Sequence, residues 1–278
     1  MRDLQNEKDH RNIPLNRVGI KNLRYPVEVL DQKAGRQKTV ANISMFVDLP
    51  GSLRGTHLSR FVELVHKYKD EIGVTNLAAI LEEVKKTFGS KDAYLELAFP
   101  YFIEKQAPVS GEKGLLEYRC FFAAYLAEIY RATVGVSVPV TILCPCSKEI
   151  SSEGAHSQRS LVGVGVEASR FIWFEELIAL VEEKASAELY SLLKRPDEKF
   201  VTEKAYANPR FVEDLVREIT LGLEADEEIT GFRVEVESLE SIHNHNAYAL
   251  VERGSVLGPA TSVQFWSALG GEKISAAF

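Results

Sequence analysis

Two stretches near the start, IKNLRYPVEVL at residues 20–30 and TVANISMFVDL at residues 39–49, decide how the chain is to be read. In both, apolar residues alternate or fall in short runs, the pattern of half-buried strands. The polar segment 33–38, which holds Gly35, predicts a hairpin connection between them. Outward from that hairpin the period changes. Leu58, Phe61, Val62, Leu64 and Val65 recur at helical spacing after Thr56, and Leu77, Ile80, Leu81, Val84 and Phe88 do so after Thr75 or Asn76, with Gly73 and Gly89 as stops. Residues 94–103 and 115–125 give two further strands across a loop with Pro108, Gly111 and Gly114. The first half therefore reads ββααββ.

The second half predicts the same order. Strands are expected at 134–143 and 161–167, a helix over 171–193, then a connector RPDEKFVTEKAYANP at 195–209. Asn208 and Pro209 suit the N-cap and first turn of a fourth helix, and 232–236 and 247–251 supply the last strands. The expected fold class is α+β: two tandem ββααββ units with antiparallel sheets and helices on one face. The expected organisation is a flexible arm over 1–16, a first unit over 17–129, a second over 130–254 that carries the chemistry, and a C-terminal tail over 255–278.

Composition narrows the function classes. With 278 residues, 45% apolar and 26% charged, the chain excludes disordered, collagenous and coiled-coil classes. A formal net charge of −7 argues against a broad nucleic-acid or anionic-membrane surface, which needs a dense basic footprint, but leaves room for a small phosphorylated ligand in a local basic pocket. Three cysteines, two of them at Cys144 and Cys146, make no disulfide framework and fit a reducing compartment. The opening MRDLQNEKDHRN has no apolar core of a leader, and no later run reaches the roughly 18 apolar residues of a membrane span. A cytoplasmic protein is expected.

The densest chemistry lies in LCPCSKEISSEGAHSQRS, residues 143–160. Cys144-Pro145-Cys146 is no zinc-ribbon knuckle, since its thiols are separated by one residue and no second CxxC exists; a catalytic site with an open coordination position suits the inventory better. In SLESIHNHNAYA, residues 238–249, Glu240, His243 and His245 crowd together, and in extended chain the two histidines share a side. Glu198 and Glu213 are, by residue type, indistinguishable from surface charges or a helix-dipole partner. GSLRGTHLSRF, residues 51–61, brings Arg54, His57 and Arg60 to a helix start, either a phosphate cradle or an ordinary cap.

Taken in order, RGTHLSRF, CPCSKEIS followed by GAHSQRS, and SIHNHNAYA resemble the type IB GTP cyclohydrolase family over about residues 18–253. The resemblance implies the tunnelling fold and a homotetramer with active sites at subunit interfaces. It implies conversion of GTP to 7,8-dihydroneopterin triphosphate with loss of formate, the first step of folate and pterin synthesis. Cys144, His156 and Glu198 then look like ligands of a divalent metal, with Glu240 and His243 as further metal-contacting or proton-handling groups and His245 beside them. Zinc, manganese or iron would suit these donors. Glu213 matches the carboxylate that anchors guanine through N1–H and the exocyclic amine, and Arg54, Arg60, Lys148 and Arg159 are nominated for the triphosphate. The chemistry fits the types: attack at C8 needs water activated near neutral pH, and imidazoles move protons in that range. Three rivals stand beside it: an archaeal-type cyclohydrolase giving a cyclic-phosphate dihydroneopterin, a nitrile reductase, disfavoured by the metal-like His and Glu set, and a metal-binding scaffold without catalysis.

Overall fold

The hairpin expected near the start of the chain forms. In the computed structural model, which describes residues 5, 7–73 and 75–257, β1 (Leu15–Asp31) and β2 (Gly35–Leu49) pair antiparallel from Leu15↔Leu49 to Asp31↔Gly35. The Asp31 carboxylate closes the turn by accepting the backbone N–H groups of Lys33 (2.9 Å) and Ala34 (2.6 Å), and Gly35 supplies the positive φ of 80° that the turn requires. Residues 7 and 9 bond to the loop after β2: Asp9 N–H donates to Ser52 O (3.0 Å) and Arg54 N–H to Glu7 O (3.0 Å).

After the hairpin come α1 (Leu58–Tyr68), α2 (Leu77–Phe88), β3 (Ala93–Gln106) and β4 (Lys113–Leu126). There follow β5 (Tyr130–Leu143), α3 (Pro145–Ile150), β6 (Ser157–Ala168), α4 (Phe174–Lys184), β7 (Ala187–Glu188), α5 (Arg195–Ala207), α6 (Val212–Glu224), β8 (Ile229–Ser238) and β9 (Ala247–Arg253). Among the described residues the strands form one nine-stranded antiparallel sheet in the order β1-β2-β3-β4-β5-β6-β8-β9, with β7 pairing β5.

The expected fold class, a tunnelling fold of two tandem ββααββ units, is therefore corrected. The strands share one sheet, and the second half reads ββ with three helices and a short strand inserted before its last two strands, plus a helix between the first two. The predicted helix over 171–193 stops at Lys184, because Ala185 is extended and Ala187 turns into the sheet opposite Thr141 of β5. The predicted connector 195–209 is α5, and Asn208 is the C-cap of that helix; α6 starts after Phe211. The expected tail falls outside the described residues from 258 onward.

Two compact units divide the described chain: residues up to Pro100 with Phe121–Val134, and Tyr101–Cys120 with Gly135–Val256. In the first, Val27, Val29, Ile43, Met45, Val47, Leu95 and Leu97 alternate inward, and helices α1 and α2 meet at a Phe61–Phe88 stack 4.1 Å between centroids. In the second, Val136, Val138, Val140 and Ile142 of β5, Val162, Val164 and Val166 of β6, and Val234 and Val236 of β8 form the sheet side of the core. Leu177, Ile178 and Val181 of α4 and Leu215, Val216, Ile219 and Leu223 of α6 are buried with them. Each such side chain contributes about 1.5–3 kcal/mol by leaving water. No described helix is long and apolar enough to cross a membrane.

Candidate active site at the end of β5

The chain leaves the core at Leu143, and its backbone there is fully engaged. Leu143 N–H donates to Ser186 Oγ (3.1 Å), Leu143 O accepts from Arg210 N–H (3.0 Å), and Cys144 N–H donates to His156 O (3.1 Å). Cys144 is then the N-cap of α3: Pro145 pre-sets the first turn, and the Cys144 sulfur accepts the Ser147 N–H at 3.4 Å. Ser147 in turn accepts the His156 N–H at 3.2 Å through Oγ. Gly154, at φ 129°, returns the chain toward β6 in a conformation that side-chain-bearing residues avoid. Cys144 and His156 are thus brought together by main-chain bonds, half-buried, while Cys146 is exposed and Cys120 is fully buried, its thiol pushed well up by desolvation.

The register of β6 against β8 supplies the next residue. Ser160 pairs with Ser238, and their hydroxyls are 2.9 Å apart in the core. Two residues on, with the same facing, stand Gln158 and Glu240. Buried Gln158 bridges the site: its Oε1 lies 2.9 Å from His156 Nδ1 and its Nε2 donates to Glu240 Oε1 at 3.1 Å. His243 and His245 follow on the exposed segment between β8 and β9, stacked with centroids 5.1 Å apart and planes at 21°.

Glu198 stands exposed on α5, one turn before Val201, which with Ala205 packs against Leu143, Ala187 and Ala155. The start of α5 is clamped by its neighbour Asp197, fully buried, which accepts Val109 N–H (2.8 Å), Ser110 N–H (2.8 Å), Ser110 Oγ–H (2.6 Å) and Lys194 N–H (2.8 Å). Burial alone would raise its pKa, but the hydrogen bonds from Ser110, Lys194 and Val109 hold it well below the usual carboxylate range. Glu213 is exposed in the first turn of α6, and the segment before it is tied to Leu143 by Arg210. Among the described residues no three His, Cys, Asp or Glu side chains already close around one point.

The basic nominees are dispersed. Lys148 donates to Tyr206 O at 2.6 Å and sits 4.4 Å over the Tyr206 ring. Arg159 is exposed on the face of β6 opposite His156 and Gln158. Arg54 and Arg60 belong to the first unit, Arg54 bonded to Glu7 at 2.8 Å. Sequence reading passed over Gln158, Ser147, Asp197 and Arg210. Only Gln158 carried a signal: in AHSQ it stands two residues beyond His156, hence on the same side of a strand.

Comparison with known proteins places the chain in a family. Solved structures of similar fold include a hyperthermostable mutant of Bacillus sp. TB-90 urate oxidase (TM-score 0.53, 8% identity, covering 86% of this chain and 98% of that one). Urate oxidase from the same source also matches (TM-score 0.51, 7% identity, 87% and 100% covered). At such identity the likeness concerns the fold alone, and it replaces the tunnelling-fold expectation. In sequence, GTP cyclohydrolase FolE2 of Geobacter sulfurreducens is 53% identical over 253 residues, 91% of this chain and 98% of that protein. GTP cyclohydrolase FolE2 of Thermosipho africanus is 55% identical over 252 residues, 90% of this chain and 97% of that protein. A family model described as type I GTP cyclohydrolase FolE2 matches residues 1–249, and with nearly the whole described chain so matched, the protein belongs to the type I GTP cyclohydrolase FolE2 family.

Proposed function

We infer that the chain is a GTP cyclohydrolase acting in folate biosynthesis, and we propose that it opens the purine ring of GTP at C8, releases formate and closes the new ring to 7,8-dihydroneopterin triphosphate. The observation that supports the assignment of the site is the chain of bonds that links Cys144 to His156 through the main chain and His156 to Glu240 through Gln158.

The donor chemistry there fits a divalent cation, since a thiol, an imidazole and a carboxylate are linked through two hydrogen bonds of Gln158 and one main-chain bond. Cys144, His156, Glu198, Glu240 and His243 would hold it, with zinc, manganese or iron all suited. When bound, such an ion supplies water ionised near neutral pH for attack at C8. Glu213 accepts two parallel hydrogen bonds from the N1–H and exocyclic amine of guanine, donors that adenine does not present together. His243 and His245, exposed and stacked, relay protons during ring opening, formate release and ribose rearrangement. Lys148 and Arg159, which belong to the unit that holds Cys144 and His156, are the nominees for the triphosphate. The working form is a homotetramer with active sites at subunit interfaces, a reading supported by the terminal strand β9, which carries Tyr248 and Leu250 exposed.

Metal-loaded protein incubated with GTP is expected to yield formate and, after oxidation, a fluorescent neopterin. Cys144→Ala should lower both by roughly 1,000-fold, the effect of losing several kcal/mol of transition-state stabilisation. Neither product from the wild type, or equal rates from the variant, would overturn the proposal.

A further inference from the structure

Gln158 is a buried amide with both ends committed to site residues, and the direction of its bonds can be deduced. An ionised carboxylate only accepts hydrogen bonds, so the Gln158 atom 3.1 Å from Glu240 Oε1 has to be the NH2 group. The amide oxygen then faces His156 Nδ1 at 2.9 Å, and the Ser241 hydroxyl, at 3.5 Å from the same oxygen, agrees with that orientation because it can donate to it. A carbonyl oxygen can only accept, so His156 Nδ1 has to carry the proton. In a neutral imidazole this leaves the lone pair on Nε2.

We propose that Gln158 is a positioning residue: it fixes His156 as the Nδ1–H tautomer with Nε2 open to a metal ion, and it couples the orientation of that imidazole to Glu240. The inference rests on the reading of His156 as a metal-holding residue. Gln158 itself neither touches substrate nor binds metal. Its two bonds tie a histidine of the 144–160 segment to a carboxylate near residue 240, so two donors far apart in sequence are aligned before any ion arrives. Outer partners of this kind set ligand orientation and basicity.

The test uses the full-length protein with metal removed. Histidine-selective 15N magic-angle-spinning spectra resolve the tautomers of the six histidines, and His156→Ala assigns the signal. The wild type is expected to show His156 with Nδ1 protonated and Nε2 bare. In Gln158→Leu that preference should be lost, and titration with Co2+ alone, followed through the thiolate charge-transfer band, should show affinity lowered about 10–100-fold. Gln158→Glu keeps an acceptor for Nδ1–H and should restore the wild-type tautomer, which a merely space-filling role for Gln158 would not produce. An Nε2–H tautomer in the wild type, an unchanged tautomer in Gln158→Leu, or no restoration by Gln158→Glu would overturn the proposal. Unchanged Co2+ affinity in His156→Ala would instead overturn the metal-holding reading, while the spectra judge the tautomer on their own.

Discussion

Glu213 is an exposed carboxylate at a helix start, proposed above to read guanine. If it reads guanine, Glu213→Gln replaces one of two acceptors with an NH2 that opposes the N–H groups of the base. Charge-assisted bonds of about 1.5–3 kcal/mol are at stake, so kcat/KM for GTP should fall about 10–100-fold in steady-state assays; an unchanged value would remove Glu213 from base recognition. At this scale legibility follows scarcity. Cys144 and His156 stood out because the chain has 3 cysteines and 6 histidines, whereas Glu198 and Glu213 are hidden among 40 acidic residues. Gln158 was marked only by its spacing from His156: a glutamine announces nothing by type, and the Glu240 carboxylate it bonds lies 82 residues away.

Helix α5 makes the corresponding point for elements. Asp197 holds its first turn against the loop after β3, and this fixes where Glu198 stands. Because its folded pKa is depressed below the ordinary 3.8, the charged carboxylate stabilises the fold at neutral pH and loses that contribution as the pH falls below about 4. Chemical denaturation should therefore find Asp197→Asn less stable than wild type at pH 7, with the gap constant to about pH 5 and narrowing below pH 4; a gap independent of pH would contradict the clamp. The element was missed in the sequence because its apolar positions are few and most of its residues are polar, so no strong period marks it. Asn208-Pro209 misled for a physical reason, since the pair suits a helix end as well as a helix start. Six-residue α3 is too short to show a period at all.

For the whole molecule, the proposed homotetramer is the state to test. Strands β1 and β9 end the strand order, and if the proposed homotetramer forms, sedimentation of the full chain should give four times its 31.1 kDa mass. A monomer at assay concentrations would exclude the interfacial site. The first-half element order could be read from sequence because hairpin pairing and amphipathic helices are local patterns. That all strands join one sheet could not, because pairing between separated strands leaves no periodic trace in either of them. The acidic balance of −7 likewise limits the partner class but not the site: it argues against a broad polyanion-binding surface while leaving room for a local basic pocket.

The segment from Cys144 to His156 is fastened at its two ends, by the main-chain bond between them and by the Ser147 hydroxyl, while residues 149, 150, 151, 152 and 153 are exposed. Its tip is therefore free to lengthen or change composition without moving Cys144 or His156. A search pattern for such sites should leave the interval between the cysteine pair and the histidine elastic, and spend its stringency on the Pro after the first cysteine, the serine at its third following position and the glycine before the return strand.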